Sequence, residues 1–215
     1  KKDEMSLQEL SSKATACLEK KKVDDAIGYL EELVGRFPDD ARIAEYKMQL
    51  ADLYFKETKY AAAQEVYEHL NQFYPADTQA EYSKYRSILS TFYQTLNADC
   101  DQTSTEEAVK LCRDYLQNDT YKQYRTDVIN IQNTCENRLI NKDVYVFNFY
   151  LKHHNYDAAH IRLKSLKDKH LADNAALEAQ LLYLECKLAR KEKNTALVNQ
   201  NLNKLIHNFP TSQYT

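Results

Sequence analysis

Residues 14–38, ATACLEKKKVDDAIGYLEELVGRFP, return in pattern 37 positions later as residues 51–75, ADLYFKETKYAAAQEVYEHLNQFYP. The shift superposes residues of like size: Ala14 on Ala51, Ala26 on Ala63 and Leu33 on Leu70. Apolar residues recur every three or four positions, which is the period of an amphipathic helix, and a polar break divides each copy in two. Each copy therefore predicts a hairpin of two helices that touch where the alanines lie.

Three further copies follow the same pattern less regularly. Their second helices carry the small and large residues of the first two copies at matching places: Ala108, Cys112 and Tyr115; Ala159, Leu163 and Leu166; Val198, Leu202 and Leu205. The pattern resembles the tetratricopeptide repeat, in which small residues sit at the helix crossing and proline follows the second helix. The sequence thus predicts an all-α fold, a right-handed solenoid of five helical hairpins.

The chain contains no clear helix break between Tyr121 and Leu151, so one helix of about 45 Å is predicted there, at about 1.5 Å per residue. The alternative is two helices with a bend near Asn141-Lys142. A continuous helix would join repeats 1–3 (residues 1–120, with an insertion near 97–105) to repeats 4–5 (residues 121–215). These two ranges are the predicted domains.

Composition argues against most nucleotide enzymes and most β architectures. Loops that cradle phosphates and nucleophile elbows need glycine, and the chain has only two glycines and three prolines in 215 residues. The five cysteines form no C-x-x-C pair, and His153, His154 and His160 are interpreted as ordinary side chains rather than metal ligands, so no metal site is predicted. With a net charge of −3 the chain shows no basic excess suited to nucleic acid. We expect no cofactor and no catalytic residue.

Three features set this chain apart from a generic repeat array. The third hairpin carries the insertion with Asp101-Gln102-Thr103, a long segment runs from Arg138 to Lys152, and the last repeat closes with Asn208-Phe209-Pro210. In this order and spacing the features resemble the BamD family, the periplasmic lipoproteins of the bacterial outer-membrane β-barrel assembly machine. The resemblance covers the whole chain, although the third and fourth repeats lack the family's usual glycine and proline at their ends.

The resemblance implies a scaffold rather than an enzyme, on the periplasmic face of the outer membrane. Family members are attached by a lipidated cysteine, which would lie upstream of Lys1. They bind the periplasmic repeats of the barrel-forming BamA subunit through their C-terminal repeats, work beside the other assembly-machine lipoproteins, and engage unfolded outer-membrane proteins through their N-terminal repeats. The first alternative is another tetratricopeptide adaptor that binds a peptide or a partner helix. The second is an accessory domain of an enzyme.

The partner site is expected in the C-terminal repeats. Residues 141–215 carry 11 basic and 7 acidic side chains, a net charge of +4 in a chain whose total is −3. The family often has arginine at the position of Arg162, and the resemblance implies a contact with BamA there. A guanidinium suits bidentate pairing with a carboxylate across an interface. We expect Arg162, Lys164 and Lys152 to form one exposed patch. The alternative is that they lie on an ordinary solvated helix face with no binding role.

A groove for substrate peptide is expected along the first helices of the N-terminal repeats. Repeat geometry lines it with residues of repeats 2 and 3: Met48, Asp52, Phe55, Lys56, Thr91 and Gln94. Exposed apolar side chains among polar ones would suit an extended peptide that ends in an aromatic residue. The competing interpretation is that Met48 and Phe55 belong to the core.

Overall fold

A computed structural model describes residues 5–97, 99–170 and 177–215, and these residues form ten α-helices without a strand. The helices are α1 (Leu7–Glu19), α2 (Val23–Arg36), α3 (Ile43–Lys56), α4 (Tyr60–Phe73), α5 (Ala80–Tyr93), α6 (Thr103–Gln117), α7 (Arg125–Lys152), α8 (Tyr156–His170), α9 (Leu177–Lys191) and α10 (Thr195–Asn208). Taken in consecutive pairs, they are the five predicted hairpins. The all-α prediction is confirmed.

The small residues of the repeat pattern lie where the paired helices cross. Ala26, Ala51 and Ala63 are fully buried, and so are Ala108 and Ala159 in the later hairpins. A methyl group at these positions lets two helix backbones approach closely, while larger side chains fill the space on either side. In the first two hairpins those larger residues include Leu10, Leu30, Leu33, Tyr67 and Leu70, all of them buried.

Four of the five hairpins turn in the same way, although none of the turns contains glycine. Lys21, Thr58, His154 and Lys193 each follow the first helix in a left-handed conformation, with φ between 58° and 60°. The next amide then donates to a carbonyl five residues back, as Lys59 N does to Tyr54 O at 2.9 Å. This Schellman motif satisfies the carbonyls at the helix end, and glycine is the residue that usually closes it. The third hairpin, which carries the insertion, has no such residue among those described.

The predicted long helix is confirmed as α7, which begins at Arg125 rather than at Tyr121 and runs for 28 residues without interruption through Asn141-Lys142. The segment just before α7 is held from α5: the Glu81 carboxylate accepts hydrogen bonds from the Tyr115 hydroxyl on α6 at 2.5 Å and from the Gln123 amide at 2.6 Å. Burial alone would raise the pKa of Glu81, but these hydrogen bonds and those from neighbouring amides outweigh it and hold the pKa below its usual value.

The chain divides into two compact units. Unit 1 takes the described residues within Lys1–Leu96 and Gln102–Cys135, and unit 2 those within Asn97–Asp101 and Glu136–Thr215. In unit 1, α2 packs on α3 and α4 on α5, so successive hairpins stack. In unit 2, the second half of α7 packs with α8 and α9 around Phe147, Leu166 and Leu184. Each unit has its own apolar core.

Candidate functional site

Three aromatic rings gather in unit 1 at the C-terminal ends of α3 and α5 and the start of α4. Phe55 meets Tyr60 edge to face at 5.3 Å between centroids and meets Tyr93 in the same way at 5.7 Å. Tyr60 and Tyr93 stack at 5.0 Å. Phe55 and Tyr60 are half-buried, and Tyr93 keeps 51% of its surface exposed. We call Phe55, Tyr60 and Tyr93 the aromatic cluster; its rings offer faces and edges on which another aromatic side chain can pack.

A guanidinium lies against this aromatic cluster. The Arg86 guanidinium carbon sits 3.6 Å from the centroid of Phe55, and Nε donates to the Tyr67 hydroxyl at 3.2 Å. Its terminal nitrogens donate no hydrogen bond to any residue in the described ranges. Stacking attracts the guanidinium to the Phe55 ring face, and it leaves the N–H donors in the guanidinium plane available for hydrogen bonds. Arg86 therefore keeps two nitrogens with which it can bind a carboxylate.

The guanidinium is held in place from behind by a polar network. Asp52 accepts hydrogen bonds from the Tyr67 hydroxyl and, at 2.9 Å, from the Tyr82 hydroxyl, and its Oδ1 lies 3.7 Å from Arg86 Nε. Burial, with the nearby Asp52 charge and its hydrogen bond, raises the pKa of Tyr82 to about 12, and burial followed by the bond to Asp52 raises the pKa of Tyr67 further. Both phenols thus remain donors at neutral pH.

The six predicted groove residues do not all line one surface. Phe55 belongs to the aromatic cluster, Asp52 supports Arg86, and Lys56 is exposed beside them. Gln94 donates to the Gln64 side chain at 2.7 Å and is half-buried.

Two of the predicted groove residues are buried rather than open to solvent. Met48 is buried because it packs with Ala51, Ala63 and Tyr67 in the core of the second hairpin. Thr91 is buried as well, and its hydroxyl donates back to the Ser87 carbonyl at 3.0 Å within α5. A threonine that bonds to its own helix satisfies its hydroxyl without solvent and so fits an interior position.

Sequence reasoning missed Arg86, Tyr60 and Tyr93 as site residues. One signal was available: Arg86 and Tyr93 are seven residues apart, so they lie on the same face of α5.

The structure separates the three residues of the predicted partner patch. Arg162 donates to Asp143 at 3.2 Å within its own hairpin, and its side chain is 35% exposed. Arg162 is therefore partly buried and paired within its hairpin, whereas it was expected in an exposed patch with Lys164 and Lys152. Lys164 is exposed, but residues two apart on a helix face different ways, so it points away from Arg162. Lys152 is exposed on α7, nine residues after Asp143 and hence on the opposite side of that helix.

The part of the chain that the structure describes has no group of three His, Cys, Asp or Glu side chains able to hold a metal ion. His160 pairs with Glu192 at 2.8 Å, and His154 contacts the Tyr156 hydroxyl at 3.0 Å. Within the same ranges, none of the helices has the length and apolar character that crossing a membrane requires.

Two comparisons with known proteins bear on the family of this chain. The profile of the YfiO family, described as outer membrane lipoprotein, matches residues 3–196. A curated relative from Caulobacter vibrioides, outer membrane protein assembly factor BamD, is 24% identical over 191 residues, which is 89% of this chain and 62% of the relative. The chain thus spans less than two thirds of that relative's length. Because the family profile covers most of the chain, this protein belongs to the YfiO family of outer membrane lipoproteins.

Proposed function

We propose that this protein is a non-enzymatic scaffold of the outer-membrane β-barrel assembly machine, at the periplasmic face of the membrane. In this role it binds the BamA periplasmic repeats and recognises unfolded outer-membrane protein substrates. The observation that carries the proposal is the family match over residues 3–196, together with the BamD-like relative. Repeat hairpins suit such work because stacked helices present extended surfaces to several partners.

Substrate recognition is assigned to the aromatic cluster and Arg86 in unit 1. An aromatic side chain at a peptide terminus would pack against Tyr93 and Tyr60, while the terminal carboxylate would take the free nitrogens of Arg86. The stacking of Arg86 on Phe55 at 3.6 Å and the network through Asp52 fix the donor fork before the peptide arrives. A fork held in advance loses less entropy on binding than a free side chain does.

The test uses a labelled ten-residue peptide that ends in phenylalanine, taken from the C-terminus of an outer-membrane β-barrel protein. Binding is followed by fluorescence anisotropy. Tyr93→Ala should weaken binding about fivefold to tenfold, equivalent to about 1–1.4 kcal/mol, and amidating the peptide terminus should weaken it to a similar degree. The matched control is Phe73→Ala, which removes another exposed ring of unit 1, outside the cluster. Equal binding by Tyr93→Ala and wild type would refute this assignment.

Binding to BamA is assigned to the C-terminal repeats, with Arg162 and Lys164, which lie on different sides of α8, as two separate candidate contacts. The net charge of +4 in residues 141–215 supports this assignment, because complementary charge steers and orients a partner. The ion pair with Asp143 determines how Arg162 must be tested. Arg162→Glu alone would set two carboxylates side by side and destabilise the hairpin, so a loss of binding would be ambiguous.

Capture of the BamA periplasmic repeats on beads is therefore measured with two designs. Lys164→Glu changes an exposed charge that makes no described contact, and the charge swap Arg162→Asp with Asp143→Arg keeps the internal ion pair. Both should reduce capture, whereas Lys204→Glu, an exposed lysine on α10, should not. Unchanged capture by Lys164→Glu and by the charge swap would remove this surface from the proposal.

A further inference from the structure

Unit 2 exposes a row of aromatic rings along the second half of α7. Tyr145 and Phe149 are one helical turn apart and keep 54% and 51% of their surface exposed. Lys152 follows on the same face and is also exposed. Exposed rings in such a row are unusual, since large apolar side chains on a helix surface ordinarily face the core.

A second row lies beside it on α9. Tyr183, 39% exposed, packs near the ring of Tyr214 at 5.4 Å between centroids, and Lys187 Nζ lies 5.7 Å from the Tyr183 ring. Lys187 Nζ donates to Asn148 Oδ1 at 2.7 Å, which ties α9 to α7. The two rows are therefore neighbours on one surface. We call this surface the aromatic–basic strip: Tyr145, Phe149, Lys152, Tyr183, Lys187 and Arg190.

The cations of the strip have no carboxylate of their own. Lys152, Lys187 and Arg190 form no ion pair with any residue in the described ranges. Burial, followed by the nearby Arg190 charge, lowers the pKa of Lys187, as expected where two cations lie close together.

Three acidic side chains of unit 2 are instead engaged with α8. Asp143 pairs with Arg162, Glu185 with Lys167 and Glu192 with His160. The strip therefore keeps uncompensated positive charge beside its exposed rings, which is the complement of an acidic partner.

We propose that the aromatic–basic strip binds an extended acidic peptide segment of a partner protein. Tyr145 and Phe149 are about 6 Å apart along the helix axis, at about 1.5 Å per residue. Side chains on one side of an extended peptide are spaced about 7 Å apart, so alternate residues of such a peptide would meet successive rings. With the peptide backbone between the two rows, the intervening acidic side chains point to its other side, toward Lys187 and Arg190 on α9, while Lys152 lies at the end of the α7 row.

A peptide suits this strip better than an anionic lipid surface does. A helix that enters a membrane interface presents a continuous apolar face. Here the hydrogen bond between Lys187 and Asn148 lies between the two rows of rings, and such polar groups suit the amides of a peptide backbone. This inference does not depend on the proposed contact with BamA, because that contact uses residues of α8 and the strip lies on α7 and α9.

The experiment uses the full 215-residue chain and measures by fluorescence anisotropy its binding to a labelled twelve-residue peptide, three repeats of Glu-Tyr-Asp-Phe. A matched probe replaces Glu and Asp with Gln and Asn. At low salt the acidic probe should bind at least about tenfold more tightly than the neutral one, and the difference should shrink as salt screens the charges. Lys152→Glu should weaken binding of the acidic probe at least about fivefold, while Lys204→Glu should stay within about twofold of wild type.

Two further measurements make the outcome decisive. The double variant Tyr145→Ala with Phe149→Ala should weaken binding of the acidic probe about tenfold. Its helical circular-dichroism signal should be retained, because both rings are about half exposed. Sedimentation with phosphatidylglycerol vesicles tests the lipid alternative. Equal affinity for both probes, or an unchanged affinity in Lys152→Glu, would overturn the proposal. So would vesicle binding that Lys152→Glu abolishes without any binding of the peptide.

Discussion

Thr58 closes the turn between α3 and α4 in a left-handed conformation with φ 58°, which a β-branched residue adopts at a cost. That conformation costs a residue with a Cβ about 1–2 kcal/mol, whereas glycine adopts it freely. Glycine also gives the unfolded chain more freedom, which costs about 0.5–1 kcal/mol. Thr58→Gly should therefore raise the free energy of unfolding by about 0.5–1 kcal/mol.

The measurement is thermal unfolding followed by circular dichroism, where the gain corresponds to a melting temperature about 1–4 °C higher for a chain of this size. Glu57→Gly is the matched control, because Glu57 stands one residue earlier with φ −84° and gains nothing from losing its Cβ. It should lower the melting temperature. If Thr58→Gly and Glu57→Gly both lower it to the same extent, the strain argument for this turn is wrong.

Three further predictions concern hydrogen bonds and packing within unit 1. Glu81→Gln should lower stability at pH 7 by about 1–2 kcal/mol. The pKa of Glu81 is lower in the folded chain than in the unfolded chain. The stabilisation by the ionised carboxylate is therefore present at pH values above the unfolded-state pKa and is lost as the pH falls through the folded-state pKa. Urea unfolding at pH 7 and pH 3 should show that the stability deficit of the variant disappears in acid. Ala63→Leu, at a fully buried helix crossing, should cost about 1–3 kcal/mol by overpacking, as measured by the urea midpoint. Tyr67→Phe should cost about 1–2 kcal/mol, because it removes the hydroxyl shared by Asp52 and Arg86; no change on urea unfolding would mean that the network is not stabilising.

The repeat pattern could be predicted from the sequence because a close helix crossing limits the size of the side chains at that point. Only a small side chain fits where Ala51 meets the second helix, and that constraint repeats at Ala26, Ala63, Ala108 and Ala159 whatever surrounds them. The uninterrupted α7 was readable for a related reason, since residues 121–151 contain neither glycine nor proline to end a helix. Periodicity thus predicts which elements exist and which of their faces are buried.

The residues of the candidate site were harder to predict from the sequence because the site depends on contacts between helices that are distant along the chain. Whether Met48 faces solvent or the core is decided by Tyr67 and Leu70 on the next helix. The role of Arg86 depends on Phe55, 31 residues earlier in the chain, and on Asp52 behind it. Likewise, the pairing of Arg162 with Asp143 follows from how α8 packs on α7, which no local pattern records.

The order in which the helices touch has a consequence for how the chain acquires its structure. The helix pairs in extensive contact are neighbours along the sequence, from α1 with α2 to α9 with α10. Contacts this local require little loop closure, and proteins dominated by them fold in about microseconds to milliseconds. A chain that becomes available one segment at a time can complete each hairpin before the next one arrives. It therefore exposes apolar helix faces only briefly while it folds.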